Sequence, residues 1–100
     1  MAAYVVVDVT RTDPERAARY SAMSGPSVER HRGRFLARGG EIRVLEGDWE
    51  PERIVVIEFP SAEAAQGWFD SADYIEARSV REGAGTWRMI VVDGVDDATG

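Results

Sequence analysis

Arg34-Phe-Leu-Ala-Arg38-Gly39-Gly40-Glu-Ile-Arg43-Val-Leu-Glu-Gly47, followed shortly by Ile54-Val-Val-Ile-Glu58-Phe59-Pro60-Ser61, is the stretch whose reading decides the fold. Both segments have strand character. Two adjacent glycines inside a strand pattern mark a bulge or a close backbone approach, because glycine accepts unusual dihedrals without steric cost. The expectation is one charged strand bent at Gly39-Gly40. The segment Glu46-Gly-Asp-Trp-Glu-Pro-Glu52 then turns the chain back into a strand over Arg53 to Phe59, making a β-hairpin.

Upstream, residues 3–9 (Ala-Tyr-Val-Val-Val-Asp-Val) are β-branched and read as a central strand. Val5, Val7 and Val9 form one apolar face, while Tyr4 and Asp8 fall on the other. Thr12-Asp13-Pro14-Glu15 starts a helix: a capping side chain, a proline in the first turn and an early acid. Ala17, Tyr20, Ser24, Val28 and His31 recur along it at helical spacing. Gly25-Pro26 predicts a kink or break, since proline removes an amide donor and crowds the preceding turn. Gly33 ends the helix. Downstream, Pro60-Ser61 opens a second helix with Ala65, Trp68 and Phe69 inward, and Ser71-Ala-Asp73 restarts a helical turn. Gly83 to Gly85 close it, and Thr86 to Val92 is the last strand.

The order β-α-β-β-α-β is that of a ferredoxin-like α+β sandwich. Right-handed crossovers place strand one beside strand three and strand four at an edge, giving an antiparallel sheet of order 4-1-3-2 with helices on one face. The opposite face keeps Val6, Ile54, Val56, Ile90 and Val92, too apolar to be left in water, and a second copy of the chain is its simplest cover. The expected organisation is a domain over residues 1–95 that pairs into a dimeric barrel, with an acidic tail at 96–100.

Composition narrows the function classes. The 100 residues carry a formal charge of −6 and no basic stretch, which makes nucleic acid a poor partner. No run approaches the roughly 18 apolar residues of a membrane span, and the start Met1-Ala-Ala-Tyr lacks the basic region of a signal peptide, so a cytoplasmic location is expected. Without cysteine there are no disulfides, thiolate metal sites or thiol nucleophiles. All 12 basic residues are arginine, as a GC-rich genome favours; lysine-based mechanisms are excluded, and any buried cation must be a guanidinium.

Asp8, Glu58 and Arg88 share one strand parity, so an Asp8–Arg88 bridge is expected, with Glu58 beside Tyr4 and within reach of Arg34 or Arg38. Such pairs read first as satisfied charges at a dimer interface, because a buried carboxylate without a partner is costly. The sharper reading makes one carboxylate a general base. His31 is the only histidine, placed where the helix dipole favours a cation; capping competes with catalysis there. One histidine and no cysteine make no metal site, and no motif implies a cofactor. Tyr20, Trp68 and Tyr74 bring polar handles into an apolar layer, as pocket linings do, although aromatics at this spacing also serve as core. With His31 and Arg38 they make up the candidate pocket. No phosphate-cradling glycine loop and no nucleophile-elbow serine is present.

At Arg34-Phe-Leu-Ala-Arg-Gly-Gly, Val44-Leu-Glu-Gly-Asp-Trp, Ile57-Glu-Phe-Pro-Ser and Trp68-Phe-Asp-Ser-Ala-Asp-Tyr74 the chain closely resembles family thirteen-thirty of the domains of unknown function, in the dimeric α/β-barrel superfamily. The resemblance implies a ferredoxin-like protomer whose sheet packs against a partner's, in a small bacterial protein. The family supplies no catalytic residues, and it often has tyrosine where this chain has His31, which argues against an essential base there. Cofactor-free monooxygenases and isomerases in the superfamily use the cleft between sheet and helices. The functional expectation is therefore a homodimer binding a small, partly aromatic or carboxylated metabolite in that cleft, with Arg38 as its anion partner. The alternatives are a cofactor-independent enzyme of monooxygenase or isomerase type, and a non-catalytic assembly domain.

Overall fold

Strand β1 (Ala3–Arg11) lies at the centre of the sheet, paired antiparallel with β3 (Arg53–Phe59) on one side and β4 (Gly85–Asp93) on the other. β2 (Arg34–Arg38) completes the order β2-β3-β1-β4, which is the expected 4-1-3-2 read from the other edge. These relations come from a computed structural model that describes residues 1–95; the acidic tail at 96–100 lies outside the described residues.

The alternation of β1 sets the two faces. Val5, Val7 and Val9 are buried beneath the helices, where each side chain contributes about 1.5–3 kcal/mol. Register carries that parity across the sheet, so Arg53, Val9 and Trp87 form one inward row and Val55, Val7 and Met89 the next. On the outer face Val56, Val6 and Ile90 are aligned. Ile90 is 63% exposed and Val92 48%, which leaves an apolar strip in solvent.

Three helices cover the inner face: α1 (Pro14–Arg30), α2 (Ala62–Phe69) and α3 (Ala72–Val80). The side chains of Asp13, Ser61 and Ser71 cap them by accepting from the backbone amides of Arg16, Ala64 and Tyr74. Ser71 thus divides the second helical segment into α2 and α3. Trp68 and Tyr74 meet in the core with ring centroids 4.1 Å apart.

Two expectations need correction. α1 is not broken at Gly25-Pro26; it runs through Pro26 to Arg30. The lost amide would have served the carbonyl of Ala22, an exposed residue whose carbonyl water can satisfy, while Ser24, Ser27 and Val28 hold the helix down by burial. The double glycine, expected as a bend within one strand, does not lie within a strand. β2 ends at Arg38, Gly39 leaves it with φ +74°, and residues 39–52 cross to β3 without a regular element. The bulge lies earlier. Phe35 pairs with Ile57 but Ala37 with Val56, leaving Leu36 as the extra residue. β2 is an edge strand, so the alternating segment after Gly40 finds no ladder to join.

Candidate functional site in the sheet–helix layer

The bulge at Leu36 decides where Arg38 points. Simple alternation from the inward Phe35 would turn residue 38 outward; the extra residue restores inward parity, opposite Val55. The Arg38 guanidinium then reaches α1, where Nη2 donates to the Ser21 carbonyl at 2.9 Å and the group lies 4.2 Å over the Phe35 ring. It lies against Gly25, where a Cβ would be in van der Waals contact with Arg38 Nη1 at 3.4 Å.

Arg53 opens β3 on the same inward face, a position that the sequence reading does not single out. The signal was available: residue 53 shares the parity of Val55, Ile57 and Phe59. Its guanidinium fills the space beside Gly39, where a Cβ would come within 2.0 Å of Arg53 Nη1. Arg11, at the end of β1, completes a corner of three arginines. Glu52 neutralises Arg11 at 3.5 Å and accepts from its backbone amide at 3.0 Å. Among the described residues the Arg53 side chain has neither an ion pair nor a hydrogen bond. Burial lowers its pKa from the ordinary arginine value, with the charges of Arg11 and Arg38 adding to the effect.

These arginines stand at one end of a cleft between α1 and the sheet, floored by Val7, Val9 and Val55 and reaching Tyr20 and Trp68. Its free volume is about 40 Å³. At roughly 10–15 Å³ per water-sized group, that admits three or four heavy atoms rather than an aromatic ring. Beyond Trp87 and Met89, a wider furrow of about 340 Å³ opens along β4. Arg81, on that side, lies 4.6 Å over Trp87 and 4.8 Å over Tyr20, so π faces stand in for the partners its buried Nη1 lacks.

Of the five candidate pocket residues, the structure brings Tyr20, Arg38 and Trp68 to the cleft. Tyr74 is buried behind them. Its hydroxyl shares a 2.6 Å hydrogen bond with that of Tyr20, and burial, followed by the proximity of Tyr20, pushes its pKa far above the ordinary tyrosine value. Trp68 Nε1 donates to Ser27 Oγ at 3.0 Å. The polar handles of Trp68 and Tyr74 are therefore spent inside the core. His31 is elsewhere, capping α1, with Nε2 3.4 Å from Asp73 Oδ1. Arg30 holds the other Asp73 oxygen at 2.9 Å. The Ser71 hydroxyl chiefly, with Arg30 and His31 assisting, keeps the Asp73 carboxyl well below the usual range.

The structural charges sit on the outer face. Arg88 binds Asp8 directly across the β1–β4 register, and Trp49 Nε1 donates to the same carboxylate at 3.2 Å. Glu58 accepts from Arg34 Nε at 2.9 Å and from the Tyr4 hydroxyl at 3.3 Å; Arg38 is committed to the opposite face. Among the described residues no group of three or more His, Asp or Glu is placed to hold a metal ion.

A four-stranded antiparallel sheet of this order, with its helices on one face, is a ferredoxin-like fold. Within that class the chain belongs to the family described as Domain of unknown function (DUF1330), whose pattern matches residues 2–95. No curated protein matches it. Among solved structures it is similar to RPA0582 of Rhodopseudomonas palustris, a protein of unknown function, with TM-score 0.76 and 22% identity over 95% of this chain and 83% of that one. It is also similar to SnoaB, a cofactor-independent oxygenase of Streptomyces nogalater, with TM-score 0.61 and 11% identity over 95% and 93% of the two chains. At these identities the likeness concerns the fold.

Proposed function

We propose that this protein is a cytoplasmic bacterial homodimer that binds a small metabolite in the cleft between α1 and the sheet. The observation that carries the reading is the convergence of Tyr20, Trp68 and Arg38 on an apolar cleft, Arg38 being turned inward by a bulge. The exposed strip of Ile90 and Val92, together with Leu45 at 97% exposure, supports a second copy as cover for the outer face.

Binding is favoured over side-chain acid–base catalysis because no carboxylate or histidine lines the cleft among the described residues. Tyr20 is bonded to Tyr74, and His31 is tied to Asp73 at the far end of α1. The oxygenase activity of SnoaB keeps cofactor-independent oxygen chemistry as the enzymatic alternative on this fold.

Thermal denaturation against a panel of small metabolites tests the reading. A ligand at a hundredfold excess over its Kd adds about 2.7 kcal/mol of stability. Ala17 is buried against the cleft, and Ala17→Leu fills it. The expected result is a ligand that raises the melting temperature of the wild type and not of Ala17→Leu. Ligands that stabilise both proteins equally, or none that stabilise either, would remove the cleft as a site.

A further inference from the structure

Three guanidinium groups brought to one corner of an apolar cleft repel one another, and a fold arranges this at a cost unless something negative completes the site. Glu52 answers only Arg11. Arg38 and Arg53 remain without a carboxylate partner among the described residues, and Arg38 is nonetheless held in place. Arg38 is fixed by the Ser21 carbonyl and the Phe35 ring, and Arg53 occupies the space that Gly39 leaves open. The bulge at Leu36 brings Arg38 to this side.

From this geometry we infer that the corner binds the carboxylate of a short aliphatic monocarboxylate between Arg38 and Arg53, its hydrocarbon tail lying in the cleft over Val7, Val9 and Val55. The inference rests on the cleft being a ligand site and adds the chemical class of the ligand. Planar, forked donors match a carboxylate bidentately. The floor of valines selects an apolar tail over a second polar group, and the small free volume keeps that tail short. Inorganic phosphate fits the charge but leaves the apolar cleft unused.

Calorimetric titration at constant ionic strength, with acetate, propionate, butyrate, valerate, hexanoate, butyramide and phosphate as probes, tests this. Affinity is expected to rise about fourfold for each added methylene and to stop rising at valerate. Butyramide is expected to bind at least tenfold more weakly than butyrate, as are Arg38→Gln and Arg53→Gln toward butyrate. Arg43, exposed and paired with Glu41 away from the cleft, is the control, and Arg43→Gln retains full affinity. Melting of the apo proteins supplies a readout independent of ligand. Arg53→Gln relieves repulsion and raises the melting temperature, whereas a structural arginine would lower it on removal. Equal binding of butyramide and butyrate, phosphate binding as tight as butyrate, or a destabilised Arg53→Gln that binds butyrate like the wild type overturns the inference. A metabolite that binds in an Ala17→Leu-sensitive manner without needing either arginine leaves the cleft reading standing and overturns this one alone.

Discussion

Gly39 shows how one residue serves backbone and site together. Its φ of +74° is left-handed, where a Cβ costs roughly 1–2 kcal/mol, and that Cβ would collide with the Arg53 guanidinium. Gly39→Ala is therefore expected to lower the urea midpoint by an amount equivalent to about 1–2 kcal/mol; an unchanged midpoint would mean that the turn is freer than described. The Tyr20–Tyr74 pair gives a second test. Tyr20→Phe leaves the Tyr74 hydroxyl buried without a partner, a loss of about 1–3 kcal/mol, while Tyr20→Phe combined with Tyr74→Phe recovers most of it. Additive losses in the double variant would show the two hydroxyls to be independent. Alternation alone placed Val5, Val7 and Val9 correctly, because a half-buried strand writes its faces into the chain. The same parity rule assigns Arg53 inward, so its place opposite Val9 is legible in the chain. Arg38 could not be aimed in this way, since its direction depends on a bulge at Leu36 that no glycine or proline announces.

Among the elements, α1 is the one whose local chemistry and observed form disagree. Pro26 is exposed and lies inside the helix, so Pro26→Ala restores a backbone bond without removing packing. A gain of about 1–3 kcal/mol in chemical denaturation is expected, and a loss would contradict the account of the helix given above. At the other end of α1, the His31–Asp73–Arg30 cluster ties that helix to α3. Because the folded pKa of Asp73 lies below its unfolded value near 3.9, its contribution is complete above that pH and is lost as acid is added below it. In Asp73→Asn the stability between pH 4 and 2 is expected to fall less steeply than in the wild type; parallel curves would show that Asp73 is not coupled to folding. The helix caps at Asp13, Ser61 and Ser71 lie where capping chemistry places them. The segment after Gly40 alternates like a strand, and only the position of β2 at the sheet edge reveals why it is not one.

At the scale of the whole molecule the sheet has one face sealed by helices and an outer face where an apolar strip lies between charged pairs. Element order and crossover handedness specify this architecture, so strand order was legible before any contact was known. The content of the cleft was not, because Trp68 and Tyr74 turn their polar atoms to Ser27 and Tyr20, and such mutual satisfaction requires a fold to arrange it. If the open face is covered by a second copy, Ile90→Asp leaves the protomer folded and yields a monomer in sedimentation analysis; a persistent dimer would place the interface elsewhere. What the arginine corner holds is the central question for the molecule. A crystal structure of the protein grown with butyrate decides it most directly. The expected result is a carboxylate between the guanidinium groups of Arg38 and Arg53, with its tail over Val7 and Val9. Butyrate absent from the corner, with Arg38 and Arg53 turned to protein carboxylates, would contradict it.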